Sequence, residues 1–343
     1  GATKQVQELR NLYQRDNVDV VLGYIGSGDC LAVAPIAEEL KKMLVLMDCG
    51  TPRIFEEAKY NYVFRTAAHA TMDNVCLVRY MKAKNIKMET LSAIIQDYAW
   101  GQDSRADFVA AAQQLYPGVK VQTDLLPKFG AGQYGTEISA LVSAGSDVVY
   151  SSLWGGDLQA FILQSAPRGL PKRSQLVFSA ADHVLPPLGD KMPDGTIIGA
   201  RGAYGLMSQK SPLNDWLFKG YEAANGVYPV QAAYRITQSI LGLKAAVEKA
   251  MSKNGGKKPS TDELVAAMTG LEWPSPGGLI QMKLADGHQA IQPIAFSRTK
   301  YNPDLKRVDL VDIQYFAAEC VNPPPGVKSI EWIKAGMQGA KCN

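Results

Sequence analysis

A few short stretches of the chain hold the residue types that could meet a ligand or do chemistry. Gly26-Ser27-Gly28-Asp29-Cys30 follows an apolar run and leads into a helical pattern. Such a turn exposes backbone N–H groups and the positive end of a helix dipole, and the Ser27 hydroxyl adds a donor, so together they could hold a carboxylate. Tight strand-to-helix turns also use Gly and Ser for packing alone, and the spacing matches neither a P-loop nor a GxGxxG turn. Cys49-Gly50-Thr51-Pro52 offers a second small-residue turn with a hydroxyl. Tyr98-Ala99-Trp100-Gly101 and Trp154-Gly155-Gly156 place tryptophans beside glycines. A lone Trp is generally core packing; two of them, each at a strand end and followed by Gly, fit a surface that covers an apolar or planar ligand body. Asp182-His183 reads as a ligand contact or an acid–base pair, with a solvated loop pair as the plainer alternative.

Covalent and metal chemistry are poorly provided for. The chain has three histidines (His69, His183, His288) and five cysteines, with no CxxC, so no zinc site is expected. No GxSxG elbow occurs, and Cys76, within a helical pattern, reads as buried rather than nucleophilic. Neither an enzyme nor a cofactor is expected. The cysteines Cys30, Cys49, Cys320 and Cys342 are either buried thiols or one or two disulfides, which would imply an oxidising compartment.

The elements that must position these residues follow an alternating pattern. Val18 to Gly26, Met43 to Pro52, Leu91 to Asp97, Val119 to Leu126, Ser146 to Leu153 and Ser174 to Ala180 read as strands, most of them continuous apolar runs buried on both faces. Amphipathic stretches at Leu31 to Lys42 (with Asp29 as N-cap), Thr71 to Lys84, Ser104 to Leu115, Tyr134 to Ala144 and Gly156 to Ala166 separate them. Longer helices follow at Pro212 to Asn225, Val230 to Met251 and Thr261 to Thr269, and the tail from Gly277 reads as strands and turns. The alternation predicts parallel sheets flanked by helices, and 343 residues suit two lobes. In open α/β sheets ligands bind at the carboxyl ends of the strands, where the turns above stand. The formal net charge of +3 and interspersed Lys, Arg, Asp and Glu give no nucleic-acid footprint. No apolar run reaches the roughly 18 residues of a membrane span.

In order and spacing, VDVVLGYIGSGDCLAVAPIAEEL, LVLMDCGTP, YVFRTA, AIIQDYAWGQD, SDVVYSSLWGGDLQAFILQSAPRGL and MPDGTIIGAR resemble the Leu/Ile/Val-binding-protein family, the substrate-binding proteins of branched-chain-amino-acid-type ABC importers. The resemblance implies two Rossmann-like lobes joined by a three-segment hinge, with the ligand in the cleft between them. It places lobe 1 at residues 1–68 and 204–286, and lobe 2 at 69–203 and 287–343. It implies a monomeric periplasmic or extracytoplasmic protein that closes on a small molecule and docks on a membrane permease. Its ligand contacts fall on Ser27, Gly28, Gly50, Thr51, Trp100 and Trp154. The family's leading strand, helix and strand have no counterpart before Gly1, which would leave a sheet edge uncovered. Cys30 and Cys49 then follow adjacent strands at one sheet end and could pair, and Cys320 and Cys342 could close a loop in the tail.

The chain departs from the resemblance where amino-acid binders place a carboxylate for the ligand ammonium. The nearest match is Ala180 or Ala181, with Asp182 just beyond. A buried ammonium without a counter-charge is costly, so an acid with an apolar or aromatic body is favoured and a hydrophobic amino acid comes next. The alternative function is a ligand-sensing receptor or regulator domain of the same fold.

Overall fold

Two β-sheets organise the chain, and the computed structural model describes residues 1–342 of it. In chain order the strands are β1 (Val20–Gly23), β2 (Met43–Leu46), β3 (Val63–Arg65), β4 (Thr90–Ile94), β5 (Lys120–Leu125), β6 (Val148–Ser151), β7 (Gln175–Phe178), β8 (Ile197–Gly199), β9 (Glu272–Ser275), β10 (Gly278–Leu284), β11 (Gln289–Ile291), β12 (Ile294–Asn302) and β13 (Arg307–Phe316). The first sheet has the order β1-β2-β3-β11-β10-β9 and the second β13-β12-β8-β7-β6-β4-β5. β1 to β3 run parallel, as do β5-β4-β6-β7-β8, while the tail adds antiparallel strands to each sheet.

The burial patterns follow from position. β2 and β6, interior strands covered on both faces, are wholly buried. β5 is an edge strand and alternates exposed with half-buried residues. The second sheet separates two apolar clusters: Phe108, Val148 and Tyr150 belong to one, Phe161, Val149 and Phe178 to the other. Two further clusters sandwich the first sheet, one around Val45 and Phe64 and one around Leu44 and Leu46. The helix Ala2–Gln14 joins the latter through Leu9 and Tyr13, whose hydroxyl donates to Met43 O at 2.7 Å.

Several boundaries differ from the sequence reading. The helix expected from Leu31 begins at Ser27, with Gly26 as N-cap and Asp29 in its first turn. The helix expected from Ser104 begins at Ala99, which puts Trp100 and Gly101 inside its first turn. Gly101 is required there: a Cβ would lie 2.0 Å from Gln96 O. The tail also folds two short helices, Ala318–Val321 and Ser329–Lys334, against the second sheet's helices.

The chain passes between the sheets near Ala67 to His69, at Ala200 to Tyr204 and at Gln292-Pro293. The third passage lies beyond residue 287, because β11 pairs with β3 through Gln289 and Arg65 and so belongs to the first sheet. Buried amides satisfy the backbone at these passages: Gln292 Nε2 donates to Arg201 O at 3.2 Å, and Gln289 Nε2 to Ala67 O at 3.0 Å.

Candidate ligand-binding cleft

Between the two sheets, at the carboxyl ends of their parallel strands, lies a cavity of about 180 Å³. From the first lobe it is lined by Ile25, Met47, Asp48 and Gly50, which follow β1 and β2, and by Gln231 and Arg235 from the start of the helix Gln231–Lys253. From the second lobe come Tyr98 and Trp100 after β4, Trp154 and Gly155 after β6, His183 after β7, and Arg201 after β8.

The aromatic wall is fixed by contacts across and within the lobes. Trp154 Nε1 donates to the Tyr98 hydroxyl at 2.7 Å, and Phe129 packs on both rings at centroid distances of 5.6 and 5.7 Å. The Trp100 indole lies on Gly50 so closely that a Cβ there would fall 1.8 Å from Cδ1. Trp100 is buried, yet its Nε1 has no hydrogen-bond partner. Buried polar groups are normally paired, so this donor is suited to an acceptor on a bound ligand.

The polar wall is a charge cluster that sequence reading missed. Arg201 Nη1 and Arg235 Nη1 both donate to the carboxylate of Asp48, one to each oxygen. Arg201 Nε reaches Asp73 at 2.9 Å, its Nη2 donates to Ala68 O at 2.6 Å, and its guanidinium sits 5.2 Å from the Trp100 ring centroid. Burial opposes charge on Arg201, but Asp48 and Asp73 outweigh it and raise its pKa. Asp73, completely buried, is pushed up to about 6 by desolvation despite Arg201. With Asp73 behind Arg201, two guanidiniums meet two carboxylates, so the charges of the cluster are paired among themselves. Cys49 and Arg201, flanking the cavity, hold left-handed backbone (φ 71° and 60°), a strain that non-glycine residues carry mainly where neighbours fix them.

Of the residues expected at the site, Gly50, Trp100 and Trp154 come together in the cavity lining. Ser27, Gly28, Thr51 and Asp182 are not in it. The Ser27 hydroxyl accepts from Thr51 N–H at 3.2 Å and so holds the next loop, while Thr51 Oγ1 donates across the cleft to Asp103 at 2.5 Å. Asp182 Oδ2 accepts the Gln231 N–H at 2.6 Å and thereby caps the helix Gln231–Lys253. Its neighbour His183 does line the cavity, with Nε2 accepting from Gly155 N–H at 2.8 Å. Asp48, Arg201 and Arg235 were missed because only the fold brings them together. The available signal was a charged residue directly after a wholly apolar strand, seen in MLVLMD and TIIGAR.

Cys30 stands beside Cys49 with Cα atoms 6.3 Å apart, and Cys320 beside Cys342 at 4.6 Å, each as a disulfide pair; Cys76 is buried and free. Among the described residues no group of three or more His, Cys, Asp or Glu is arranged to hold a metal, and no helix is long and apolar enough to cross a membrane.

The architecture has many counterparts. A solute binding protein of an ABC transporter from Rhodopseudomonas palustris HaA2, in complex with p-hydroxybenzoic acid, superposes with a TM-score of 0.79 at 19% identity, covering 93% of this chain and 83% of the other. An ABC-type branched-chain amino acid transporter from Rhodopseudomonas palustris CGA009 gives 0.72 at 22% identity, covering 96% and 85%. In sequence, the Leu/Ile/Val-binding protein homolog 6 of Brucella abortus (strain 2308) is 23% identical over 285 residues, 81% of this chain and 70% of its own length. The family model described as periplasmic binding protein matches residues 2–304, and with the two-lobed fold and its interlobe cavity this chain belongs to the periplasmic binding protein family.

Proposed function

We propose that the chain is the extracytoplasmic solute-capturing component of an ABC import system, and that its cleft takes a small carboxylic acid with a single apolar or aromatic ring. It performs no chemistry: the lobes close on the ligand, and the closed form docks on membrane permease subunits. The observation that carries this reading is the pairing of Arg201 and Arg235 on the single carboxylate of Asp48 beside an aromatic wall.

That arrangement leaves the lining without a carboxylate free for a ligand cation. Both oxygens of Asp48 are engaged by arginines, and Asp182, which caps a helix through Oδ2 and leaves Oδ1 unpaired, lies outside the cavity lining, so the lining itself holds no free carboxylate for an α-ammonium. Burying an ammonium unpaired is costly. The size fits one ring: an apolar cavity of about 150 Å³ takes a benzene, and this one is about 180 Å³. Tyr98, Trp100 and Trp154 supply flat faces, and Trp100 Nε1 supplies a spare donor. Relatives of the same fold with p-hydroxybenzoic acid, 3,4-dihydroxybenzoic acid and benzoate bound lend support.

A thermal-shift panel of benzoate, 4-hydroxybenzoate and L-leucine tests the proposal, since a bound ligand raises apparent stability by mass action. Stabilisation by one of the two benzoates and not by leucine is expected. Stabilisation by leucine alone would overturn the ligand class.

A further inference from the structure

A second and larger cavity, of about 390 Å³, opens away from the cleft lining. Its walls come from the first lobe (Phe55, Tyr60, Arg65, His288) and from the tail segment Pro323 to Lys328. The tail is anchored on the second lobe, where Ala318, Val321, Trp332 and Ile333 join the apolar cluster of Val148 and Tyr150. A ligand in this cavity would therefore touch both lobes.

Two buried groups in its wall lack the partners their chemistry calls for. Arg65 is fully buried, and its hydrogen bonds go to the carbonyl oxygens of Cys49 and Thr51 and the amide oxygen of Gln289, not to a carboxylate. Burial, and then the nearby Arg201, push its pKa down, against the opposing pull of Glu56, Asp48 and Asp73. His69 is 2% exposed, and its Nδ1 has no hydrogen-bond partner. Among the charges around the cavity, Lys59 and Asp286 pair with each other at 3.4 Å. Glu56 commits Oε1 to the Ser329 N–H and hydroxyl, and burial pushes its carboxyl up. Arg65 and the exposed Lys328 then share the one carboxylate of Glu56, which leaves one positive charge in excess at a space also walled by Phe55, Tyr60 and prolines.

We infer that this cavity is a second ligand site, distinct from the cleft, for a small organic anion whose charge meets Arg65 and Lys328 and whose body packs on Phe55 and Tyr60. Arg65 also carries the loop that presents Gly50 to the cleft, through the carbonyls of Cys49 and Thr51.

The test uses 4-bromobenzoate, whose bromine locates each bound molecule by anomalous diffraction, together with equilibrium dialysis of the wild type and the exposed charge reversal Lys328→Glu. The expected result is a bromine peak beside Phe55 and Tyr60, and second-site binding weakened at least about tenfold in Lys328→Glu, as reversing a nearby charge should do. A bromine peak there without one in the cleft would support this site while counting against the proposed cleft ligand. No peak in this cavity at saturating probe, or binding there unchanged in Lys328→Glu, would overturn the inference.

Discussion

Gly50 and Trp100 meet across the cleft: the first belongs to the turn after β2, the second to the helix after β4, and the indole occupies the space a Cβ at position 50 would need. The closed arrangement of the lobes thus depends on the absence of one side chain. Gly50→Ala is expected to fold normally, because Gly50 has ordinary negative φ, but to displace the indole and weaken cleft binding by at least about tenfold, or about 1.4 kcal/mol. Calorimetric titration beside a circular-dichroism melt checks this; unchanged affinity would mean that Trp100 does not shape the site.

A second cross-cleft contact surrounds the first. Arg53 donates to Asp103 Oδ1 through Nε at 2.9 Å and Nη2 at 2.6 Å, while Thr51 Oγ1 binds Oδ2 at 2.5 Å. The Arg53 side chain is 35% exposed, so water screens the pair and only about 0.2–1 kcal/mol of closure is expected from it. Asp103→Asn should speed ligand release a fewfold, with an effect that shrinks as salt rises. Stopped-flow dissociation measured at two ionic strengths reads both quantities.

Asp107, buried and accepting a hydrogen bond from Thr71 at 2.7 Å, has its carboxyl pushed up to about 8 by burial. The folded chain keeps this proton while the unfolded chain releases it from about pH 4 upward. Below about pH 4 both states hold the proton and the group favours folding fully. Between pH 4 and 8 its contribution declines, by at most about 1.4 kcal/mol per pH unit. Asp107→Asn should flatten the stability profile across that window and raise stability at pH 8. Urea melts from pH 4 to 8 test this; a wild-type slope unaltered by the substitution would contradict it.

Cys30 with Cys49 and Cys320 with Cys342 are separated by 19 and 22 residues, so each bridge is expected to add about 3 kcal/mol by constraining the unfolded chain. Thiol titration of the denatured, unreduced protein should find Cys76 alone. Five reactive thiols would remove both bridges and with them the expectation of an oxidising compartment.

The alternation of apolar runs and amphipathic stretches made the α/β lobes legible, because each strand is read from its own residues. Gly50, Trp100 and Trp154, picked from strand ends and Trp-Gly pairs, do line one cavity between the lobes. The charge cluster was not legible. Asp48, Arg201 and Arg235 come from a turn, an interlobe passage and a helix, and only the fold brings them together. For Asp182 the sequence offers no distinction, because a carboxylate beside a strand end has the same local look whether it faces a ligand or caps a helix. The hydroxyls of Ser27 and Thr51 look alike in sequence, yet one holds the neighbouring loop and the other reaches Asp103 across the cleft.

The preference for an acid over an amino acid is tested most directly by titrating the chain with phenylacetate and L-phenylglycine in the calorimeter. The two differ only by the α-ammonium. With Asp48 held by Arg201 and Arg235, and Asp182 capping a helix, phenylacetate should bind at least about a hundredfold tighter, or about 2.8 kcal/mol. Tighter binding of phenylglycine would contradict the assignment and point to the unpaired Asp182 Oδ1 as the counter-charge.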